Sequence, residues 1–278
     1  MSRTFLALLL CGGAALITAC EEKKTETPAP TAAPPAAAPA APTEAPPAAA
    51  PQAAGGAAAG GAPAAAAGMG TIKGSVAFTG QAPAPMPINR AADPFCAKTK
   101  MNAEDVLVNK NGTLKNVLVR LTNVTGTFEA PKDVAVVAQE NCMYRPRLQG
   151  VVAGQTVQVK NGDQTLHNVH TYRGSATLKN QAQIAGSPAV DMKFTDAGAV
   201  IKFKCDVHPW MAGYVSVTNH PFFSITGDDG SFELKNVPAG TYKIEAWHEK
   251  FGTKMMDVTV AANGTAETKF SYDGTEKP

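Results

Sequence analysis

Alternation of apolar and polar residues with a period of two is the feature that most constrains the fold of this 278-residue chain. It indicates half-buried β-strands, because successive side chains of a strand point to opposite faces. No segment after residue 70 keeps a helical period for three turns. We therefore expect an all-β fold, a Greek-key barrel or sandwich with a small second sandwich. The clearest runs cover residues 72–78, 117–121, 134–137, 156–159, 192–194, 200–203 and 214–217.

The first residues have the composition of an export signal. Arg3 precedes a short apolar stretch that ends in Leu16-Ile17-Thr18-Ala19-Cys20. This ending resembles the bacterial lipobox, which implies a signal peptide over residues 1–19 and a lipid on Cys20. An ordinary signal peptide with an incidental cysteine is the alternative. The residue after the cysteine is Glu21 rather than Asp, so the resemblance implies the outer membrane, facing the periplasm or the cell surface.

Residues 20–69 are rich in Pro and Ala, then in Gly and Ala, and ten of the 21 prolines lie between Pro28 and Pro63. Such a segment has too little bulky apolar surface to offset the entropy of ordering it. We expect a disordered tether between the membrane and the folded part. The formal charge is only +2, without a basic patch, which argues against a nucleic-acid partner.

Two domains are expected after the tether, over residues 70–218 and 219–278. In the second, Asp229-Gly230 lies between alternating runs and predicts a hairpin, and Pro238-Ala239-Gly240 predicts another turn. This pattern resembles the carboxypeptidase regulatory-like, transthyretin-type β-sandwich. That family has no catalytic activity of its own, so the resemblance implies an accessory role.

The cysteine count isolates one thiol. With Cys11 in the signal and Cys20 at the lipid site, Cys96, Cys142 and Cys205 remain. Thiols of an exported protein tend to pair, and three cannot all do so. We favour a Cys96–Cys142 disulfide, because Cys205 follows a strand among metal-ligand residue types, but the other pairings stay open.

Residue types that bind soft metal ions are concentrated in the sequence around Cys205. Cys205, His208 and Met211 lie within seven residues, and His167 follows a strand about 40 residues earlier. A thiolate with two imidazoles and a weak axial thioether is the ligand set of blue-copper electron-transfer sites. A structural zinc site, or a vestigial site without metal, is the alternative.

The spacing Cys205-x2-His208-x2-Met211, with Pro209 after the histidine, resembles the cupredoxins of the amicyanin type over residues 150–218. The resemblance implies one type 1 copper ion bound by His167, Cys205, His208 and Met211. It also implies that Asn168 braces the two ligand loops by hydrogen bonding.

The other histidines are expected outside the site. His170 lies three positions after His167, and such residues of one strand face opposite sides. We therefore assign the ligand role to His167 and a surface role to His170. His220 and His248 are expected to be structural.

These features predict an electron carrier of the cell envelope and not an enzyme, because the sequence shows no nucleophile–base set, phosphate loop or paired-carboxylate motif. We expect Trp210, Pro209 and Met211 to form an apolar rim around an exposed edge of His208. A redox partner, such as a periplasmic c-type cytochrome, a dehydrogenase or an oxidase, would dock there briefly. The alternatives are copper trafficking or storage, and a scaffolding or adhesive lipoprotein that docks through residues 219–278.

Overall fold

Sixteen β-strands and one short 3-10 helix, Cys96–Lys98, form the regular structure of residues 68–278, the part of the chain that this computed structural model describes. The strands are β1 (Met69–Phe78), β2 (Leu118–Leu121), β3 (Ala135–Glu140), β4 (Met143–Arg145), β5 (Leu148–Val152), β6 (Thr156–Asn161), β7 (His167–Arg173), β8 (Ala176–Gln183), β9 (Val190–Lys193), β10 (Val200–Lys204), β11 (Ala212–Thr218), β12 (Phe223–Ile225), β13 (Ser231–Pro238), β14 (Gly240–His248), β15 (Gly252–Val260) and β16 (Thr265–Tyr272).

The strands from the middle of the chain form one sandwich, which we call the central sandwich. Its two sheets have the strand orders β5-β11-β10-β7-β8 and β4-β3-β6-β9. Alternate residues point inward and form a common core, because each strand buries one face. Val159, Val169, Phe203 and Val215 belong to this core, and each is fully buried.

The first and last strands form the other sandwich, which we call the flanking sandwich. Its sheets have the orders β13-β1-β16 and β12-β2-β14-β15. Ile72, Leu121, Ile244 and Phe270 contribute to its core. Strand β1 runs parallel to β16 and antiparallel to β13, while β2 is antiparallel to both β12 and β14.

This pairing differs from the division expected at residue 218. Strands β1 and β2 precede the central sandwich in the chain, yet they pair with strands from residues 219–278. The flanking sandwich is therefore assembled from both sides of the central one. The alternation of residues 72–78 reports a half-buried strand but carries no information on its partner.

The prediction of an all-β fold is confirmed, and each of the seven predicted runs overlaps an observed strand. The hairpin expected at Asp229-Gly230 is wrong, because this turn connects β12 to β13, which pair in different sheets. Strand β8 escaped detection because most of its residues are exposed, so it shows no apolar alternation.

A buried ion pair and a buried hydrogen bond connect the two sandwiches. Arg147, just before β5, forms a bidentate contact with Glu249, which follows β14. Arg120 of β2 binds Glu245 and also donates a hydrogen bond to Ser216 Oγ in β11. These contacts fix the sheet that contains β11 against the flanking sandwich.

Within residues 68–278, no helix has the length and apolar character needed to cross a bilayer. The predicted signal peptide, the lipid site at Cys20 and the tether up to residue 67 lie outside the described residues.

Candidate metal centre

Three predicted ligands meet at one end of the central sandwich. His167 is the first residue of β7, Cys205 directly follows β10, and His208 lies in the loop before β11. Strands β7 and β10 are hydrogen-bonded neighbours, so their ends bring the two ligand segments together. The side chains of His167 and Cys205 are completely buried, and His208 is 2% exposed.

The donor atoms of these three residues lie within 4.8 Å of one another. The two Nδ1 atoms of His167 and His208 are 2.9 Å apart, and Cys205 Sγ is 3.7 Å from His208 Nδ1. Donors bound to one ion at a little over 2 Å are separated by roughly 3 to 4 Å. The spacing of the three atoms is therefore that of a shared ligand set.

Each imidazole is fixed from outside by a carboxylate. His167 Nε2 lies 2.8 Å from Asp163 Oδ2, and His208 Nε2 lies 3.1 Å from Asp93 Oδ2. Because a carboxylate only accepts, both Nε2 atoms carry a proton, and in the neutral form of each imidazole Nδ1 is then an acceptor. Two facing acceptors repel unless a proton or a metal ion lies between them. The donor set thus fits a soft metal ion bound by two imidazoles and a thiolate.

The aspartates are held in turn by backbone N–H groups. Asp93 accepts hydrogen bonds from the N–H groups of Phe95 and Cys96 at 2.7 and 2.9 Å, and from Thr165 Oγ1 at 2.6 Å. Burial alone would raise the pKa of Asp93, but these hydrogen bonds lower it to about 2. Asp93 is therefore an anion at neutral pH.

Asp163 has an equivalent environment. It accepts hydrogen bonds from the N–H groups of Asn141 and Cys142, at 2.8 and 2.7 Å. Burial opposes ionisation, but the bond to His167 and these N–H groups outweigh it and lower the pKa of Asp163. Both outer carboxylates are thus charged and rigidly placed.

The pKa values of the three predicted ligands are shifted as well. Burial would raise the pKa of Cys205, but hydrogen bonds from His167 and from backbone N–H groups lower it, which favours the thiolate. Burial would lower the pKa of His167, but the bonds to Asp163 and Cys205 raise it. The pKa of His208 is lowered, chiefly by burial and also by the charge of His167, against the effect of Asp93.

Asn168 connects the segments that carry two of the predicted ligands. Its Oδ1 accepts a hydrogen bond from the N–H of Asp206 at 2.5 Å, and its own N–H points to Cys205 Sγ at 3.5 Å. Its Nδ2 donates to Asp206 Oδ2 and Asn180 Oδ1. One side chain therefore links the strand of His167 to the loop of Cys205.

Met211 is completely buried in the same core as Cys205, and its N–H donates to the carbonyl of His208 at 2.9 Å. Pro209 is exposed in the turn between these two residues. The loop therefore directs His208 and Met211 inward while Pro209 faces solvent.

The expected rim around an exposed edge of His208 is not present in the described structure. His208 and Met211 are buried, and the segment containing Asp93 and the 3-10 helix covers His208. Trp210 is half-buried, its ring centroid is 5.1 Å from that of His208, and its Nε1 donates to the carbonyl of Cys142. Trp210 therefore helps to cover the centre. The expectation failed because a segment more than 100 residues earlier folds over the loop.

The Cys96–Cys142 disulfide is present, and Cys205 is the free thiol among the described residues. The disulfide lies beside the centre, with Cys96 Sγ 3.6 Å from His208 Nε2. Cys96 lies near Asp93 and His208, and Cys142 lies near Asp163 and His167. Because the two sulfurs are joined to each other, neither cysteine can supply a thiolate to a metal ion.

The remaining histidines lie apart from the three donor atoms. His170 points to the outer face and binds Asp206 at 2.8 Å, away from the three donors. His220 and His248 are buried and hydrogen-bonded to backbone groups. Sequence reasoning missed Asp93 and Asp163. The available signals were weak: one precedes Cys96 by three residues, and the other precedes His167 by four.

No protein-family model and no curated protein matches the chain. Among solved structures, it is similar to a purple cupredoxin from Nitrosopumilus maritimus, with 25% identity and a TM-score of 0.27 over 30% of this chain and 99% of that one. It is similar to a reduced amicyanin variant, with 32% identity and a TM-score of 0.28 over 30% of this chain and 81% of that one. A reduced Cu(I) form of another amicyanin variant, at pH 4, has 32% identity and a TM-score of 0.28 over 32% of this chain and 86% of that one.

Proposed function

We propose that this chain is a lipid-anchored type 1 copper protein of the cell envelope that carries single electrons between redox partners. The observation that supports it is the convergence of two imidazole Nδ1 atoms and one thiolate, with both Nε2 atoms committed to carboxylates. Met211, buried in the same core, would offer its thioether sulfur to the ion. A copper ion bound here would supply a one-electron couple between Cu(II) and Cu(I).

The protein's own contribution is to keep the ligands in one geometry. Asn168 ties the segments of His167 and Cys205 together, and the two aspartates prevent rotation of the imidazoles. A ligand set that does not rearrange suits transfer of an electron without bond making or breaking. One electron arrives from a reduced partner and leaves later to an oxidised one, such as a c-type cytochrome, so the chain catalyses no reaction of its own.

The burial and the residue types of the centre argue against two alternatives, copper trafficking and a structural zinc site. Copper trafficking requires that donors open to release the ion, whereas His167, Cys205 and His208 are covered and hydrogen-bonded. Structural zinc sites generally use more than one cysteine or a Cys2His2 set, whereas this group contains one free thiol. Transfer of electrons is therefore the function that the site supports best.

The test is the visible and EPR spectrum of the full chain loaded with Cu(II), beside Cys205→Ser. We expect an intense blue thiolate charge-transfer band with narrow copper hyperfine splitting, which disappears in the variant. His170→Ala is the matched control, because His170 belongs to the same strand but points away from the donors. A pale spectrum, unchanged by Cys205→Ser, would reject the proposal, and rapid release of Cu(I) to a chelator would favour trafficking.

A further inference from the structure

A closed ring of contacts surrounds the two imidazoles. Asp93 binds His208 and the N–H of Cys96, while Asp163 binds His167 and the N–H of Cys142. The Cys96–Cys142 disulfide joins the two halves. The turn that carries Asp93 is therefore covalently connected to the turn of Asn141 and Cys142, whose N–H groups hold Asp163 by hydrogen bonds.

We propose that Asp93 and Asp163 lower the reduction potential of the metal centre and thereby favour the oxidised ion. This inference rests on the proposed copper function and assigns a role to two residues beyond the ligands. Both act as positioning and tuning residues, because neither offers an atom to the donor group of His167, Cys205 and His208.

Two effects of the carboxylates act in the same direction. A carboxylate that accepts the Nε2 proton makes the imidazole a stronger donor, and a stronger donor favours Cu(II) over Cu(I). A negative charge near the ion also favours its more highly charged state, and this effect is large in a buried site. The side chain of Asp163 is 5% exposed and that of Asp93 is 15% exposed, so solvent screens neither strongly.

A buried cation near the two aspartates opposes part of this effect. Arg90 is the buried cation near both carboxylates, and its guanidinium is already bound to the carbonyl oxygens of Thr99 and Asn141. It forms no salt bridge with Asp93 or Asp163. Arg90 therefore offsets part of the field of both carboxylates, but it is unchanged in a variant of either aspartate, so replacing one carboxylate still removes one negative charge near the ion.

The experiment measures the Cu(I):Cu(II) ratio of the full chain in a spectroelectrochemical titration. At the midpoint potential of the natural protein, we expect Asp93→Asn and Asp163→Asn each to raise this ratio about tenfold. For a one-electron couple this corresponds to a midpoint about 59 mV more positive. Unchanged or lower ratios in these variants would overturn the inference.

Asp206→Asn is the matched control. Asp206 follows Cys205 directly, but its carboxylate binds Asn168 and His170 instead of a ligand imidazole, and Asn at this position keeps an oxygen that can accept from Asn168 Nδ2, so the variant removes the charge and preserves this contact. We expect its ratio to change less than threefold. A change as large as that of Asp93→Asn would overturn the inference, because proximity of any charge would then suffice.

A measurement on the natural protein covers the case in which the variants do not fold. In the diamagnetic Cu(I) form, proton NMR should show two strongly downfield Nε2–H signals, one for each imidazole bound to a carboxylate. Their absence would contradict the inference. Failure of the proposed function is distinct, because the natural protein would then lack the blue band altogether.

Discussion

The hydroxyl of Tyr144 lies 2.9 Å from the carbonyl oxygen of Lys204, the residue before Cys205. The same hydroxyl is 2.7 Å from the carbonyl oxygen of Asn168, the residue after His167. Tyr144 belongs to β4 in the opposite sheet and packs closely on β11. If Gly213 of β11 carried a Cβ atom, this atom would lie 2.9 Å from the Cβ atom of Tyr144. One buried tyrosine therefore contacts three segments that carry or adjoin the predicted ligands.

This arrangement predicts that Tyr144→Phe loosens the centre while preserving the packing of the ring. Removal of the buried hydroxyl should lower the free energy of unfolding by about 1 to 2 kcal/mol, measured by urea denaturation. The copper hyperfine splitting should also change. Tyr172→Phe, which removes a hydroxyl bound to His170 on the outer face, should leave the EPR spectrum unaltered. Identical spectra for Tyr144→Phe and the natural protein would contradict the prediction.

The choice between the two histidines of β7 gives a second prediction. His167→Ala should abolish the blue band, because His167 Nδ1 faces His208 Nδ1. His170→Ala should retain it, because the imidazole of His170 binds Asp206, Tyr172 and Asn180 on the outer face. Visible absorption of the copper-loaded variants distinguishes the two cases. Loss of the band in His170→Ala alone would exchange their roles.

The Arg147–Glu249 pair should be important for stability. Both side chains are at least 90% buried, and removal of one partner leaves an uncompensated buried charge. Glu249→Gln should therefore lower the free energy of unfolding by about 3 kcal/mol or more. Replacing both residues with apolar ones of similar size should cost less than this single change.

The exposed pair Arg173–Asp196 is the control, because each of its side chains is about half exposed. Asp196→Asn should change the free energy of unfolding by less than about 1 kcal/mol. Similar losses for the buried and the exposed pair, in matched urea denaturation curves, would refute the assignment.

Stability should decrease in mild acid because of His248. Burial lowers the pKa of His248 to about 4, and the charges of Arg147 and Lys250 act in the same direction while Asp105 opposes them. Its ring stacks on that of Phe251. The unfolded chain has the ordinary histidine pKa near 6.5, so it binds the proton first as the pH falls.

Above about pH 6.5, His248 therefore does not reduce the free energy of unfolding. As the pH falls from 6.5 toward 4, this free energy decreases progressively, by up to about 3 kcal/mol in total. Urea denaturation at pH 7 and pH 5 measures the loss. His248→Phe should make the free energy of unfolding less dependent on pH over this interval. An unchanged pH dependence in the variant would show that other groups are responsible.

Local patterns determine what the sequence reveals on its own. The period of two predicts strands, because it follows from the geometry of a single strand, and the all-β fold is confirmed. The candidate donors can also be identified from the sequence, because Cys205, His208 and Met211 lie within seven residues. The separation of His167 from His170 follows from alternation within β7.

The tertiary structure decides which strands pair and what covers the loop. Backbone hydrogen bonds are the same for every residue, so the alternation of β1 could not indicate that its partners, β13 and β16, lie more than 150 residues later. The contact of Asp93 with His208 spans 115 positions. The sequence around an aspartate in a turn does not indicate which distant residue it will contact. The burial of His208 and the carboxylates bound to the two imidazoles are therefore visible only in the structure.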